Sequence, residues 1–228
     1  MRIAGHRGLP RQFPDNTLEG ITAATAVCDY VELDVRESLD GVKVLSHDPT
    51  IEGVDIASTL WEDVQRITIG DGFHPTTLDA VLAAIGDFPL DIEIKNSPLE
   101  PGFDPEGRFA CEVAAMARSN DVVTCFFWPT VDAVKKSIPS LHTGLLIDQG
   151  GSITEAARYA AANGHTALAP HWSLLLEDEA VSRSLVLEFE IATWTVDDID
   201  VAAQLADLGI DSLISNDPVG IRNALGLD

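Results

Sequence analysis

"YVELDVRESLDGVKVLSHD", Tyr30 to Asp48, decides the fold. Its first part has the apolar frame of a buried strand, yet Glu32 and Asp34 sit two apart inside it. Side chains two apart on a strand share one face. Two carboxylates therefore enter one small volume, which is costly unless something positive lies between them. The second part, "VKVLSHD", is also strand-like, but only six residues separate Val35 from Val42. A parallel crossover needs about a dozen or more, and Asp40-Gly41 is a hairpin-turn signal. The return strand is therefore antiparallel. With Asp40 and Gly41 as a two-residue loop, Leu39 faces Val42 and the ladder sets His47 opposite Asp34.

Outward from this stretch, nine short β-like runs recur, from "RIAGH" near the start to "DSLISND" near the end. Eight main helical patterns alternate with them, among them "DNTLEGITAATA", "ITEAARYAAANG" and "DDIDVAAQLADLG". Asp197-Asp198 is a helix start, and Gly164 and Gly209 are helix stops. Thr59 with Glu62 reads as a capping box for one more short helix. Subtracting the antiparallel return strand leaves eight β/α units. Eight such units over this length imply a (β/α)8 TIM barrel with a short β-hairpin insertion after the second strand. A doubly wound open sheet is the alternative. No linker, repeat or low-complexity tract interrupts the series, so residues 1–228 read as one domain.

Composition narrows the function. The chain is 46% hydrophobic and 22% charged, with 37 acids against 14 bases and a net charge of −23. Such a field repels nucleic acid and anionic membranes. An anionic substrate then requires local positive charge at its own site. No apolar run reaches spanning length, and "MRIAGHRGLP" carries no signal-peptide core, so a cytoplasmic location without membrane insertion is expected. Cys28, Cys111 and Cys125 are odd in number and lack CxxC spacing, which points to reduced packing cysteines.

In a barrel of this kind the site lies at the C-terminal strand ends. Those ends read His6-Arg7, Glu32 and Asp34, Glu93 and Lys95, His171-Trp172, Trp194, and Asn216-Asp217. Glu32, Asp34 and Glu93 form an all-oxygen set suited to a hard cation such as Mg2+ or Ca2+. The same residues also suit an ion-pair network with Arg7, Lys95 or Arg36; two carboxylates on one face of one strand favour the metal. His6 and His47 titrate near neutrality and form a candidate proton-transfer pair. Arg7 offers a planar fork for phosphate or carboxylate, and Lys95 a point charge.

"HRG" (His6 to Gly8), "PDNTLEG" (Pro14 to Gly20), "VELDV", "DG" and "HD", followed by "IEIK", "TWTVDD" and "GIDSLISNDP", resemble the ordered signature of glycerophosphodiester phosphodiesterases. The resemblance spans nearly the whole chain. It implies a (β/α)8 barrel that cleaves a glycerophosphodiester, a small-molecule substrate, to glycerol phosphate and an alcohol. It implies a divalent metal on Glu32, Asp34 and Glu93, and His6 and His47 as acid and base. Arg7 and Lys95 would contact phosphate, and Trp194 would wall the pocket. His171 joins the substrate-binding candidates without a matching family motif. Two departures stand out: Asp15 replaces the usual Glu, and "HDPTIEGVDIAST" replaces a segment rich in Arg and Thr. A lysophospholipase D-like enzyme, a non-catalytic phosphate-binding barrel and a metal-dependent lyase with Lys95 as base are the competing readings. His74, His142 and His165 are expected at the surface.

Overall fold

Alternation along each strand fixes which residues face the helices and which face the barrel axis. The computed structural model describes residues 1–227. The chain begins with β1 (Arg2–His6), α1 (Leu18–Ala24), β2 (Tyr30–Glu37) and β3 (Lys43–Leu45). Next come β4 (Thr50–Ile51), β5 (Val54–Asp55), α2 (Trp61–Val64), α3 (Leu78–Ile85) and β6 (Leu90–Ile94). The middle holds α4 (Arg108–Met116), β7 (Val122–Cys125), α5 (Trp128–Ser137), β8 (His142–Ile147), α6 (Ile153–Asn163) and β9 (Ala167–Pro170). The remainder is α7 (Trp172–Glu177), α8 (Glu179–Leu185), β10 (Glu190–Thr193), α9 (Ile199–Leu208), β11 (Ser212–Ser215) and α10 (Pro218–Leu225). The sheet runs β1-β11-β10-β9-β8-β7-β6-β2 and closes through β1–β2, all pairs parallel. It is a closed eight-stranded (β/α)8 barrel, and the open-sheet alternative falls.

The outward faces are aliphatic: Ile3, Val31, Leu33, Ile92, Leu145, Leu168 and Ile191 are fully buried against the helix ring. Each such side chain contributes roughly 1.5–3 kcal/mol on burial. Inside the barrel the residues are small or polar, with a minor apolar cluster of Ala4, Tyr30 and Ile214. Helix starts follow the sequence signals: Asp198 caps α9, Thr17 caps α1 and Ser152 caps α6. Gly164 and Gly209 end α6 and α9 with φ of 76° and 84°, a left-handed conformation that disfavours a Cβ. The helix α7 was not among the expected eight.

The hairpin is where the structure departs from expectation. β3 is antiparallel to β2, as read, but the pairs are Val35↔Leu45, Arg36↔Val44 and Glu37↔Lys43. Ser46, not His47, thus stands opposite Asp34, with Ser46 N donating to Asp34 O at 3.1 Å. The cause is a three-residue loop, Leu39-Asp40-Gly41, in place of two. Ser38 N donates to Val42 O, and Gly41 takes φ of 83° as the bulge residue. Thr59 does not cap α2; the N-cap is Leu60, and Asp40 Oδ1 accepts from Trp61 N instead. The unusual segment after His47 folds as the β4–β5 hairpin, turning at Glu52-Gly53. Its Ile51 and Ile56 pack with Val44 and Val64 in a separate small core.

Candidate active site

Three adjacent strands bring the charged groups together. His6 of β1 neighbours Glu32 of β2, and Asp34 of β2 neighbours Glu93 of β6. One oxygen from each of Glu32, Asp34 and Glu93 lies within 4.8 Å of the others. All three residues are buried, and Asp34 is 0% exposed. Asp34 is oriented by Asn16, whose Nδ2 donates to Asp34 Oδ2 at 2.8 Å and whose Oδ1 accepts from Asp34 N at 3.1 Å. Asn16 sits in the left-handed region at φ 58°, which Asn tolerates better than most residues. Arg7 Nε lies 3.0 Å from Asp34 Oδ2, and Lys95 Nζ lies 2.7 Å from Glu93 Oε1 and 3.6 Å from Asp34 Oδ1. The ion-pair reading is therefore also realised here.

Electrostatics separate the three acids. Burial, then the Asp34 and Glu93 charges, push Glu32 well above the usual carboxylate range. Burial and Asp34 likewise push Glu93 up to about 7, against the opposing pull of Lys95. Burial also acts on Asp34, but Lys95, Arg7 and the Asn16 hydrogen bond overcome it and hold that carboxyl low. Both glutamates therefore hold their protons to higher pH than an ordinary carboxylate. Asp34 Oδ1 is buried with no hydrogen-bond partner. A buried carboxylate oxygen with no hydrogen bond, facing only the Lys95 ammonium at 3.6 Å and set beside two crowded glutamates, fits a hard divalent cation.

The imidazoles flank this cluster. His6 Nδ1 lies 2.7 Å from Asn216 Oδ1, and its Nε2 lies 3.9 Å from Glu32 Oε2. Asn216 Nδ2 in turn donates to Asp197 Oδ2 at 2.7 Å, which turns the amide oxygen toward His6. His6 must then donate from Nδ1, leaving the Nε2 lone pair free. Burial and the nearby Arg7 lower the His6 pKa, which favours the neutral ring. His47 lies just past β3, with Nδ1 at 2.8 Å from Asp48 Oδ1 and the side chain 42% exposed.

A cavity of about 330 Å³ opens here, lined by His6, Arg7, Glu32, His47, Glu93 and Trp194, with Phe126 on the same wall. Phe126 meets Trp194 edge-on at 5.4 Å. His171 stands outside this lining: its ring caps α7 through Ser173 N and packs edge-on against Trp194 at 5.3 Å. Lys95 borders the neighbouring groove of about 480 Å³, which also meets Glu93 and Phe126. Arg7, at φ 56°, donates from NH1 to Asp15 Oδ2 at 3.1 Å, so the shorter acid still reaches the guanidinium. The backbone of Gly8 abuts α1; a Cβ there would sit 2.8 Å from the Gly20 carbonyl carbon. His74 and His142 are exposed as expected. His165 is not: it is 4% exposed, between Thr143 Oγ1 at 2.8 Å and Asp132 Oδ1 at 2.9 Å.

Sequence reasoning missed Asn16, Asp197 and Phe126. It also left Asn216 without a role. The signals were the Asn of "PDNT" and the "SND" strand end, both beside motif residues.

A closed barrel with two imidazoles, clustered carboxylates, an arginine and a lysine at its C-terminal mouth has the layout of a barrel enzyme. Comparison with known proteins narrows the class. A model of the glycerophosphoryl diester phosphodiesterase family matches residues 6–219. The chain belongs to that family. It is 28% identical over 242 residues to a glycerophosphodiester phosphodiesterase of Caldanaerobacter subterraneus, covering 97% of this chain and 96% of the relative. A Thermotoga maritima glycerophosphodiester phosphodiesterase superposes with TM-score 0.82 at 26% identity, over 100% of this chain and 98% of that one. An Oleispira antarctica phosphodiesterase, solved with the product sn-glycerol-3-phosphate, superposes with TM-score 0.86 at 20% identity, over 99% and 97% of the two chains.

Proposed function

We propose that this enzyme hydrolyses glycerophosphodiesters to sn-glycerol 3-phosphate and an alcohol, with one divalent cation, Mg2+ or Ca2+, on Glu32, Asp34 and Glu93. The observation that carries this is the Glu32-Asp34-Glu93 cluster, in which the buried Asp34 Oδ1 makes no hydrogen bond and the two glutamates line the same cavity as His6 and His47. When bound, the cation would supply neutralising charge for the non-bridging phosphate oxygens. Arg7 adds its fork to the same oxygens, and Lys95 contributes charge from behind Glu93. His6 Nε2 accepts the proton of the attacking hydroxyl, water or the substrate's own glycerol 2-hydroxyl. His47 donates a proton to the departing alcohol oxygen as the P–O bond breaks. Trp194 walls the organic part, and His171 holds Trp194 from behind.

A second reading has one observation in its favour. The groove joining the cavity at Glu93 and Phe126 is lined by Pro98, Leu99 and Phe127, which suits a bulky apolar alcohol of the lysophospholipase D kind. Among the described residues, no helix is long and apolar enough to cross a membrane.

The test is release of glycerol 3-phosphate from diesters carrying choline, ethanolamine, glycerol or inositol, and from one lysophospholipid. Each is run with Mg2+, Ca2+ or EDTA, beside Glu93→Gln and His47→Ala. Cation-dependent turnover lost in both variants supports the reading. A folded protein that binds a cation and turns over none of these substrates overturns it.

A further inference from the structure

We infer that Arg36 is a positioning residue for His47, and that Glu100 completes the clamp from the loop after β6. The inference rests on the reading of His47 as the proton donor. His47 has little of its own to hold it: it lies outside β3, and its side-chain partner, Asp48, is 74% exposed. Arg36 is the opposite case, a guanidinium 6% exposed on the strand that also carries Glu32 and Asp34. Two of its nitrogens, Nε at 2.9 Å and NH2, donate to the same atom, the backbone carbonyl oxygen of His47. The third, NH1, donates to Glu100 Oε2 at 2.8 Å.

A buried cation is costly without a paired anion, yet most of this fork is spent on a neutral carbonyl. The consequence is geometric. The carbonyl of His47 is fixed to the rigid strand that supports the carboxylates, so the imidazole is carried at a set distance from them. The short turn beyond, with Ser46 Oγ donating to Asp48 O at 2.8 Å, leaves that carbonyl as the nearest rigid point. Glu100, 34% exposed at its side chain, balances the charge and links the clamp to the apolar groove beside Leu99.

The experiment uses the full chain with its best cation and two substrates: an alkyl glycerophosphodiester, and an aryl diester whose leaving group departs as a stable anion. A misplaced proton donor slows only the first. Arg36→Met and Arg36→Lys are expected to lower kcat on the alkyl diester about ten- to a hundredfold, with KM little changed and the aryl diester unaffected. Glu100→Gln is expected to lose about three- to tenfold with the same substrate dependence, a partial version of the same misplacement. Arg36→Met added to His47→Ala is expected to cost nothing further. Equal loss on both substrates, additive loss in the double variant, or full activity in Arg36→Lys overturns the inference. If Arg36→Met fails to fold by circular dichroism, Arg36→Lys and Glu100→Gln decide by the same criteria. Impaired His47→Ala beside unimpaired Arg36 variants overturns the clamp alone. A fully active His47→Ala overturns the reading of His47, and the clamp with it.

Discussion

The two faces of the barrel strands are built from opposite materials. On β2, Val31, Leu33 and Val35 are fully buried among aliphatic neighbours, while Glu32 and Asp34 between them are buried among charges. On β6, Leu90, Ile92 and Ile94 alternate in the same way with Asp91 and Glu93. One face lowers the free energy of folding; the other stores carboxylates whose crowding opposes it. Stability and chemistry are thus interleaved residue by residue along a single strand, which makes the division open to test by substitution.

The largest effect is expected on the inner face. Glu93→Gln should lower kcat/KM by about a thousandfold, about 4 kcal/mol of transition-state stabilisation. In metal-free protein its melting temperature should not fall, because an acid already pushed up to about 7 is being replaced by a neutral amide. A parallel drop in stability would break the contrast between the faces.

On the outer face the pattern should invert. Leu168→Ala removes a fully buried side chain from the helix-facing core and should cost about 2–5 kcal/mol in denaturant unfolding. Its kcat at temperatures where it remains folded should stay near that of the unsubstituted enzyme.

Asn216→Ala should lower kcat about ten- to a hundredfold by releasing the His6 tautomer. Because the Asn216 hydrogen bond raises the His6 pKa, its loss should move the acid limb of the kcat/KM profile to lower pH. Movement to higher pH would remove Asn216 from its role.

A further effect is on pH and stability. Burial raises Asp91 and Glu93 to about 7. Groups raised in the folded state add stability that is complete below their unfolded pKa, near 4, and is lost as pH rises through 7. Metal-free protein should therefore melt at lower temperature as pH climbs through that window, and Mg2+ or Ca2+ should flatten the decline. Thermal melts across the window check it.

What was legible in the sequence follows the same two-face division. The outward aliphatic residues repeat with period two, so eight β/α units and the antiparallel return strand could be read directly. Inward carboxylates on those strands were legible because charge inside an apolar frame is conspicuous. Loop geometry was not. One extra loop residue at Leu39-Asp40-Gly41 shifted the register and exchanged Ser46 for His47 opposite Asp34. His47 reaches the cavity because it lies beyond the ladder, where register no longer governs it. Asn16, Asp197 and Asn216 act through a few local hydrogen bonds from turns and strand ends, which leave no periodic trace. His165 resembles any polar loop residue until α5 and α6 supply Asp132 and Tyr159 around it.

The closing seam of the barrel has a consequence in time. β1 pairs with β2, nearby in the chain, and with β11, at the far end. The bond from His6 to Asn216 crosses that seam between residues 210 positions apart. Contacts so distant along the chain carry the largest loop-closure entropy and form late in folding. A refolding molecule can thus pair β2 with β6 and gather its carboxylates while His6 still lacks Asn216. Recovery of catalysis after dilution from denaturant should lag recovery of helical signal, making turnover itself the clock for barrel closure.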